Sequence, residues 1–109
     1  METTPKKLQE VYAAQTAAFE TTPVDLQDYH MVGIQTRVYD GSGFSCTITL
    51  QVTNDQKTWT DVTDTNLPLS GASDAQIYDV VQISVGWCRL KFSGFSGTAS
   101  FEIDYMLKG

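Results

Sequence analysis

The chain has 109 residues, which fits one domain, and 7 basic against 13 acidic residues give it a formal net charge of −6. An acidic surface repels phosphate backbones, which excludes direct nucleic-acid binding as its main function. No apolar run approaches the ~20 residues of a membrane span, and the N-terminal residues lack the apolar core of a signal peptide. We therefore expect a protein that is made in a cytosol and stays there or leaves inside a particle.

The first 20 residues do not decide between two patterns. Their apolar side chains fit a helical spacing and a period of two about equally well. We therefore predict that residues 1–20 form an N-terminal arm or an edge segment. The remaining residues, 21–109, are predicted to form a single β-sandwich domain.

Most segments between residues 21 and 109 alternate apolar with polar residues, which is typical of strands that bury one face. The longest apolar face lies in residues 44–52 and comprises Phe44, Cys46, Ile48, Leu50 and Val52. Its polar neighbours are mainly threonines, as expected for a sheet that is covered on one side. Residues 77–83 and 99–107 predict further strands.

Glycine, asparagine and aspartate mark the turns between these strands. Residues 40–43 and 93–97 are rich in glycine and are predicted to be tight turns, and Asn54-Asp55 is a third turn. Residues 63–75 are irregular and predict the longest exposed loop. About seven or eight strands, with no helical pattern between them, predict an all-β fold: an antiparallel, jelly-roll-like β-sandwich.

The two cysteines, Cys46 and Cys88, both fall on the apolar side of strand patterns. Free cysteine is among the most buried residue types, so the simplest interpretation is two buried thiols. Trp59 lies between them, and this immunoglobulin-like order leaves an inter-sheet disulfide open. Against it, the tyrosine expected two residues before the second cysteine is Gly86 here, and a reducing cytosol disfavours a bridge.

No residue pattern predicts catalysis, a metal or a cofactor. His30 is the single histidine and cannot form a zinc site without thiolate or carboxylate ligands. The sequence has no Gly-x-Ser-x-Gly motif, and no Ser/His/Asp trio can be assembled. The loop acids Asp55, Asp61, Asp64 and Asp74 lack the Asp-x-Asp-x-Asp-Gly pattern of calcium loops, so they are interpreted as turn-forming residues. We expect a protein that is not an enzyme.

Three aromatic residues are candidates for an interaction surface. Trp87 alternates onto the same side as Arg89 and Lys91, and Tyr39 also falls on the polar side of its strand. Aromatic side chains on a sandwich face anchor subunit interfaces or stack on sugar rings, and they also cover sheet edges or fill the end of a core. The predicted interface or glycan-stacking residues are Tyr39, Trp59, Trp87 and Arg89.

The order of four segments resembles a known family. They are residues 24–29 (Val-Asp-Leu-Gln-Asp-Tyr), residues 51–62 with Asn54-Asp55 and Trp59-Thr60-Asp61, residues 87–92, and a Gly-Thr hairpin ending in Lys108-Gly109. They resemble small β-sandwich structural proteins of bacteriophage virions, which commonly carry "SNDG-x-x-W-x-D" between two strands and "YVRVKV" later. The resemblance covers about residues 22–109, and it departs from the pattern at Thr53, Gln56 and Trp87-Cys88.

The resemblance implies a virion structural protein, such as a capsid decoration protein, a spike or fibre base, or a tail component. Such proteins assemble as homo-oligomers and with other virion proteins, and they are not enzymes. The implied location is the virion, after synthesis in the cytoplasm of a bacterial host, and residues 1–20 could become ordered against a neighbour. The alternative is a carbohydrate-binding module whose exposed aromatics bind a host-surface glycan.

Overall fold

The computed structural model describes residues 4–80 and 84–109, and its elements are all β-strands. They are β1 Lys6–Gln15, β2 Phe19–Glu20, β3 Val24–Asp25, β4 Met31–Thr53, β5 Thr60–Asp61, β6 Leu67–Ser70, β7 Asp74–Val80 and β8 Trp87–Lys108. Every strand pair is antiparallel, which confirms the predicted all-β, sandwich-like fold. Residues 81–83, the end of a predicted strand, lie outside the described residues. Within the described ranges no helix is long and apolar enough to cross a membrane.

Two long strands, β4 and β8, connect the two layers of the fold. Residues 31–39 of β4 pair with residues 100–108 of β8, and residues 45–53 pair with residues 87–96. The register shifts twice between these stretches, from Tyr39 to Ser45, and once more at the start of the second stretch, from Ser45 to Thr47. Bulges of this kind let a strand bend and pass from one sheet to the next.

The bend divides the strands into a first and a second layer. The first layer contains, in spatial order, β1, residues 100–108 of β8, residues 31–39 of β4, and β7. In the second layer, β2 and β3 lie beside residues 87–96 of β8, and β5 and β6 lie beside residues 45–53 of β4.

The predicted turns at residues 40–43 and 93–97 are bends inside β4 and β8, so the prediction of turns between separate strands was wrong. Gly97 has a φ of 72°, and a Cβ atom placed there would overlap the carbonyl oxygen of Gly43. The two strands therefore approach each other more closely than a side chain would permit. Glycine marks bulges as well as turns, and the sequence alone does not distinguish them.

The inner faces of both layers enclose one hydrophobic core. Phe101, from the first layer, lies at its centre, with ring centroids 4.7 to 6.0 Å from those of four other phenylalanines: Phe19, Phe44, Phe92 and Phe95. Tyr78, also from the first layer, donates a hydrogen bond to the carbonyl oxygen of Ile48 in the second layer. These contacts hold the two layers against each other.

The N-terminal segment forms an edge strand of the first layer. β1 pairs with β8 from Lys6, opposite Leu107, to Tyr12, opposite Phe101. Leu8 and Tyr12 pack against the core, whereas Val11 is 56% exposed on the other face. A period of two therefore holds over residues 7–12, because one face of the strand is covered and the other is not, and it ends where the register shifts between Tyr12 and Gln15.

Residues 63–75, predicted to be an irregular loop, contain a strand. Leu67–Ser70 forms β6 and pairs with β4, and Leu69 is fully buried. Pro68, a residue that is uncommon in strands, lies within β6. It is tolerated because β6 is an edge strand, where a missing backbone N–H costs no ladder hydrogen bond.

Candidate interaction surfaces

The outer face of the second layer carries a group of polar and aromatic side chains, here named the Trp59 cluster: Gln51, Trp59, Asp61, Arg89 and Lys91. The guanidinium carbon of Arg89 lies 4.2 Å from the ring centroid of Trp59, and its Nε donates a 2.8 Å hydrogen bond to Gln51 Oε1. Gln51 Nε2 donates to Asp61 Oδ1 at 2.7 Å, and Lys91 Nζ lies 3.1 Å from Asp61 Oδ2. The side chains of this cluster are thus bound to one another.

Strand pairing positions the Trp59 cluster. Gln51 lies between Arg89 of β8 on one side and Asp61 of β5 on the other, so three strands contribute to one row. The Gln51 amide, and after it the Lys91 ammonium, lower the pKa of the Asp61 carboxyl from its ordinary value of 3.8. The arrangement satisfies charges across the sheet and covers one face of the Trp59 ring, which stabilises the layer.

The four predicted interface or glycan-stacking residues lie on two different outer faces of the sandwich. The structure brings Trp59 and Arg89 together, and Trp87 precedes Arg89 by two residues on the same outer face. Tyr39 lies on the outer face of the first layer, where the guanidinium carbon of Arg37 is 5.2 Å from its ring centroid. All three aromatic side chains are partly buried.

Trp87 also borders a cleft of about 540 Å³ at one end of the molecule, together with Tyr29, His30 and Asn54. Aromatic rings, an amide group and an imidazole group therefore border the same cleft. Such a combination can bind a polar ring, because a sugar offers hydroxyl groups at its edge and C–H groups on its face.

Two of the loop acids bind backbone amides of their own turns. Asp55 Oδ1 accepts hydrogen bonds from the amides of Lys57 at 2.9 Å and Thr58 at 3.0 Å, and these bonds lower the pKa of its carboxyl. Asp74 Oδ2 accepts one from the amide of Ser70 at 3.0 Å. Among residues 4–80 and 84–109, no three His, Cys, Asp or Glu side chains are grouped as a metal site.

Both cysteines are buried and free, in agreement with the simplest interpretation of the sequence. Cys88 lies opposite Val52, six residues from Cys46 along β4. At about 3.3 Å per residue the two are ~20 Å apart, far beyond the ~7 Å limit for a disulfide. Burial raises the pKa of each thiol to about 12.

The outer face of the first layer, here named the Ile77 face, is a surface that the sequence did not reveal. Ile77 of β7 is 66% exposed and Val11 of β1 is 56% exposed, and these are the two large hydrophobic residues exposed among the described residues. An open groove of about 540 Å³ lies beside Ile77 and is bordered by Lys7, Gly33 and Met106. Because side chains alternate along β7, Ile77 and Tyr78 lie on opposite faces of the sheet. Nothing in the sequence indicates that β1 and β7 belong to one sheet.

No protein-family model matches the sequence, and no curated protein matches it. Solved structures with a similar fold include the SPBc2 prophage-derived protein YomS, which is 15% identical and has a TM-score of 0.61 over 95% of this chain and 96% of that chain. A second belongs to Bacillus endospore appendages, a family of disulfide-linked pili, with 11% identity and a TM-score of 0.54 over 99% of this chain and 90% of that chain. A third, from infectious bursal disease virus Gx strain, has 11% identity and a TM-score of 0.50 over 99% of this chain and 33% of that chain. At such identities the likeness shows the fold.

Proposed function

We propose that this protein is a structural component of a bacteriophage virion and acts by assembling with copies of itself and with other virion proteins. The observation that carries the proposal is the fold shared with a prophage-derived protein over 95% of this chain and 96% of that one. The match extends over nearly all of both chains, so the two share their architecture over that length. The virion role rests on this match together with the resemblance in residues 51–62 and 87–92.

The other two structural neighbours support an assembly role. One is a protein of disulfide-linked pili, and the other comes from a virus. Pili and virus particles are assemblies of repeated chains, so both matches support a role in which this fold provides contact surfaces. Capsid decoration, a spike or fibre base, and a tail part remain the three places in the particle at which this fold would serve.

The experiment that tests the proposal is the protein composition of purified particles. Phage particles from cells that carry the gene would be banded on a density gradient and analysed by quantitative mass spectrometry. We expect the chain in a fixed ratio to the major capsid or tail protein across the particle band, with an abundant host cytosolic protein as the contamination control. Infectious particles that lack the chain would overturn the proposal.

A second candidate function is glycan binding, which the Trp87 cleft favours because it combines an aromatic ring with His30 and Asn54. Binding of an oligosaccharide in a glycan screen, lost in Trp87→Ala and kept in Tyr39→Ala, would support it. These two variants separate the cleft from an aromatic residue on the opposite layer. A screen without binding would reject this candidate and leave the assembly role untouched.

A further inference from the structure

The strand register arranges the outward side chains of the Ile77 face in rows that cross all four strands. One row runs Lys7, Met106, Gly33 and Asp79, from the β1 edge to the β7 edge. A positive charge therefore lies at one end of the row and a negative charge at the other. A large side chain and a glycine lie between them.

This row is complementary to itself when reversed. A two-fold axis parallel to the strands, lying between β4 and β8, places a second copy face to face with each row running the opposite way. Lys7 then faces Asp79 of the second copy, and Met106 faces the hollow above Gly33 of the second copy. The symmetry repeats both contacts, so one interface gains two opposite-charge pairs and two apolar contacts.

A second row shows the same property. It runs Val11, Glu102, Arg37 and Ala75, and within the chain Arg37 Nη2 lies 2.6 Å from Glu102 Oε2. Reversal puts Arg37 of one copy over Glu102 of the other, which makes a square of four alternating charges. Val11 then covers Ala75 of the second copy, so its exposed side chain loses contact with water.

We infer that the Ile77 face is the contact surface of a two-fold symmetric homodimer, with the strands of the two copies aligned. Charge complementarity selects a second copy of this chain as the occupant, because one axis matches the first and the last of the three outward rows. The row between them runs Gln9, Asp104, Gln35 and Ile77, and the same axis places Asp104 over Gln35 and Ile77 over Gln9 of the second copy. Exposed aliphatic residues rimmed by paired charges mark interaction surfaces in soluble proteins. The inference deepens the proposed function and rests on it for a biological role, since it names how two copies would meet in an assembly.

The size of the face sets the strength of this dimer. Seven paired residues along four strands cover about 23 Å by 19 Å, or about 440 Å² on each copy. A standard interface buries ~800 Å² per partner, and smaller ones are typical of weak, transient contacts, so we expect a dimer that forms only at high protein concentration. Contacts of that strength suit a surface that is reinforced by neighbours in a larger assembly.

A charge-swap experiment tests the inference. Lys7→Glu places two carboxylates face to face, and Asp79→Lys places two ammonium groups face to face, so each variant alone should dimerise at least about tenfold more weakly. In an equimolar mixture the introduced glutamate of one variant meets the introduced lysine of the other, and the unchanged Lys7 meets the unchanged Asp79. Dimers should therefore return to near the wild-type level. Sedimentation equilibrium, with the monomer mass of 12.0 kDa as reference, measures all three samples.

Two controls separate specific pairing from general charge effects. Lys57→Glu makes the same change of charge in the exposed turn of the second layer and should leave dimerisation unchanged. Asp79→Lys makes an acidic chain less acidic, so a dimer limited by overall repulsion would strengthen and not weaken. Melting temperatures of the variants, expected to equal that of the wild type at low concentration, show that each is folded.

Three results would overturn the inference. They are a wild-type chain that stays at 12.0 kDa up to about 1 mM, a dimer that both single variants leave intact, or a mixture that fails to recover. Failure here is distinguishable from failure of the proposed function, because the particle composition is measured independently. A chain present in particles but monomeric in solution would keep the virion role and reject this face.

Discussion

The outer faces of the two layers differ in how their charged and apolar side chains are used. On the second layer, Arg89 is bound to Trp59 and Gln51, and Asp61 is bound to Gln51 and Lys91. On the first layer, Lys7, Ile77 and Asp79 are exposed, and the charges at the two ends of a row lie three strands apart.

This difference teaches that conspicuous residues and available surface need not coincide. The tryptophans are the largest side chains in the sequence and were predicted as interface residues, yet one face of Trp59 is covered by Arg89. The Ile77 face instead presents the exposed aliphatic side chains of Val11 and Ile77, and the opposite charges of Lys7 and Asp79 lie at its two edges. Exposed apolar side chains, together with charges that lie far from an opposite charge, indicate a surface available for contact better than residue type does.

The largest expected effect concerns the contact between the layers. Replacing Phe101 by alanine removes a ring that touches four other phenylalanines, so we expect a loss of about 3–5 kcal/mol in the free energy of unfolding. Urea unfolding followed by tryptophan fluorescence measures it. Val11→Ala in the exposed half of β1 is the control and should change stability by less than about 0.5 kcal/mol. A loss below about 1 kcal/mol for Phe101→Ala would contradict the packing of the two inner faces.

A pair of arginine substitutions compares the two outer faces directly. Arg89→Ala removes a stacked guanidinium and a hydrogen bond to Gln51, so we expect a loss of about 1–2 kcal/mol. Arg37→Ala removes a half-exposed ion pair with Glu102 and a more distant contact with the Tyr39 ring, both screened by water, and should cost about 0.5 kcal/mol or less. Urea unfolding at a concentration that keeps the chain monomeric measures both. Equal losses would mean that the two faces do not differ in this way.

Strand identity and the buried faces were predictable because they depend on local alternation. A strand with one covered face must place an apolar residue at every second position, and residues 44–50 and 101–107 follow this rule in both sequence and structure. The edge strand β6 was not predictable, because Pro68 signals a loop unless the neighbouring strand is known. For the same reason residues 6–15 showed two possible periods, and pairing with β8 decided between them.

The Ile77 face could not have been found from the sequence. Lys7, Gly33, Asp79 and Met106 share a row only because β4 and β8 pair in one register and β1 and β7 flank them. Register is a property of long-range pairing, and a slip by one residue would move every side chain to the opposite face. The bend in β4 and β8 was equally hidden, because glycines in residues 40–43 and 93–97 are compatible with turns and with bulges.

A smaller effect is expected in the pH dependence of stability, to which Asp61 of the Trp59 cluster contributes. The Gln51 amide and Lys91 lower the folded-state pKa of Asp61 below its ordinary value of 3.8, so its charged form stabilises the fold. That contribution is present above the unfolded-state pKa and is lost as the pH falls through the folded-state pKa. Asp61→Asn should therefore have a lower urea midpoint than the wild type at about pH 6, with the difference shrinking below about pH 3. A difference that stays constant over this range would show that the carboxylate charge has no part in it.

The smallest expected effect is a difference between the labelling rates of the two thiols. These rates report how readily each part of the second layer opens. Burial raises the pKa of Cys46 and of Cys88 to about 12, so labelling by a thiol reagent near neutral pH requires local opening. Each cysteine lies on a long strand next to an edge strand, β3 for Cys88 and β6 for Cys46, but Cys88 is fully buried whereas Cys46 is 6% exposed. We expect Cys46 to be labelled faster, with Cys46→Ala assigning the two phases. After denaturation without reductant both thiols should react, and fewer than two would contradict the ~20 Å separation that the register of β4 and β8 imposes.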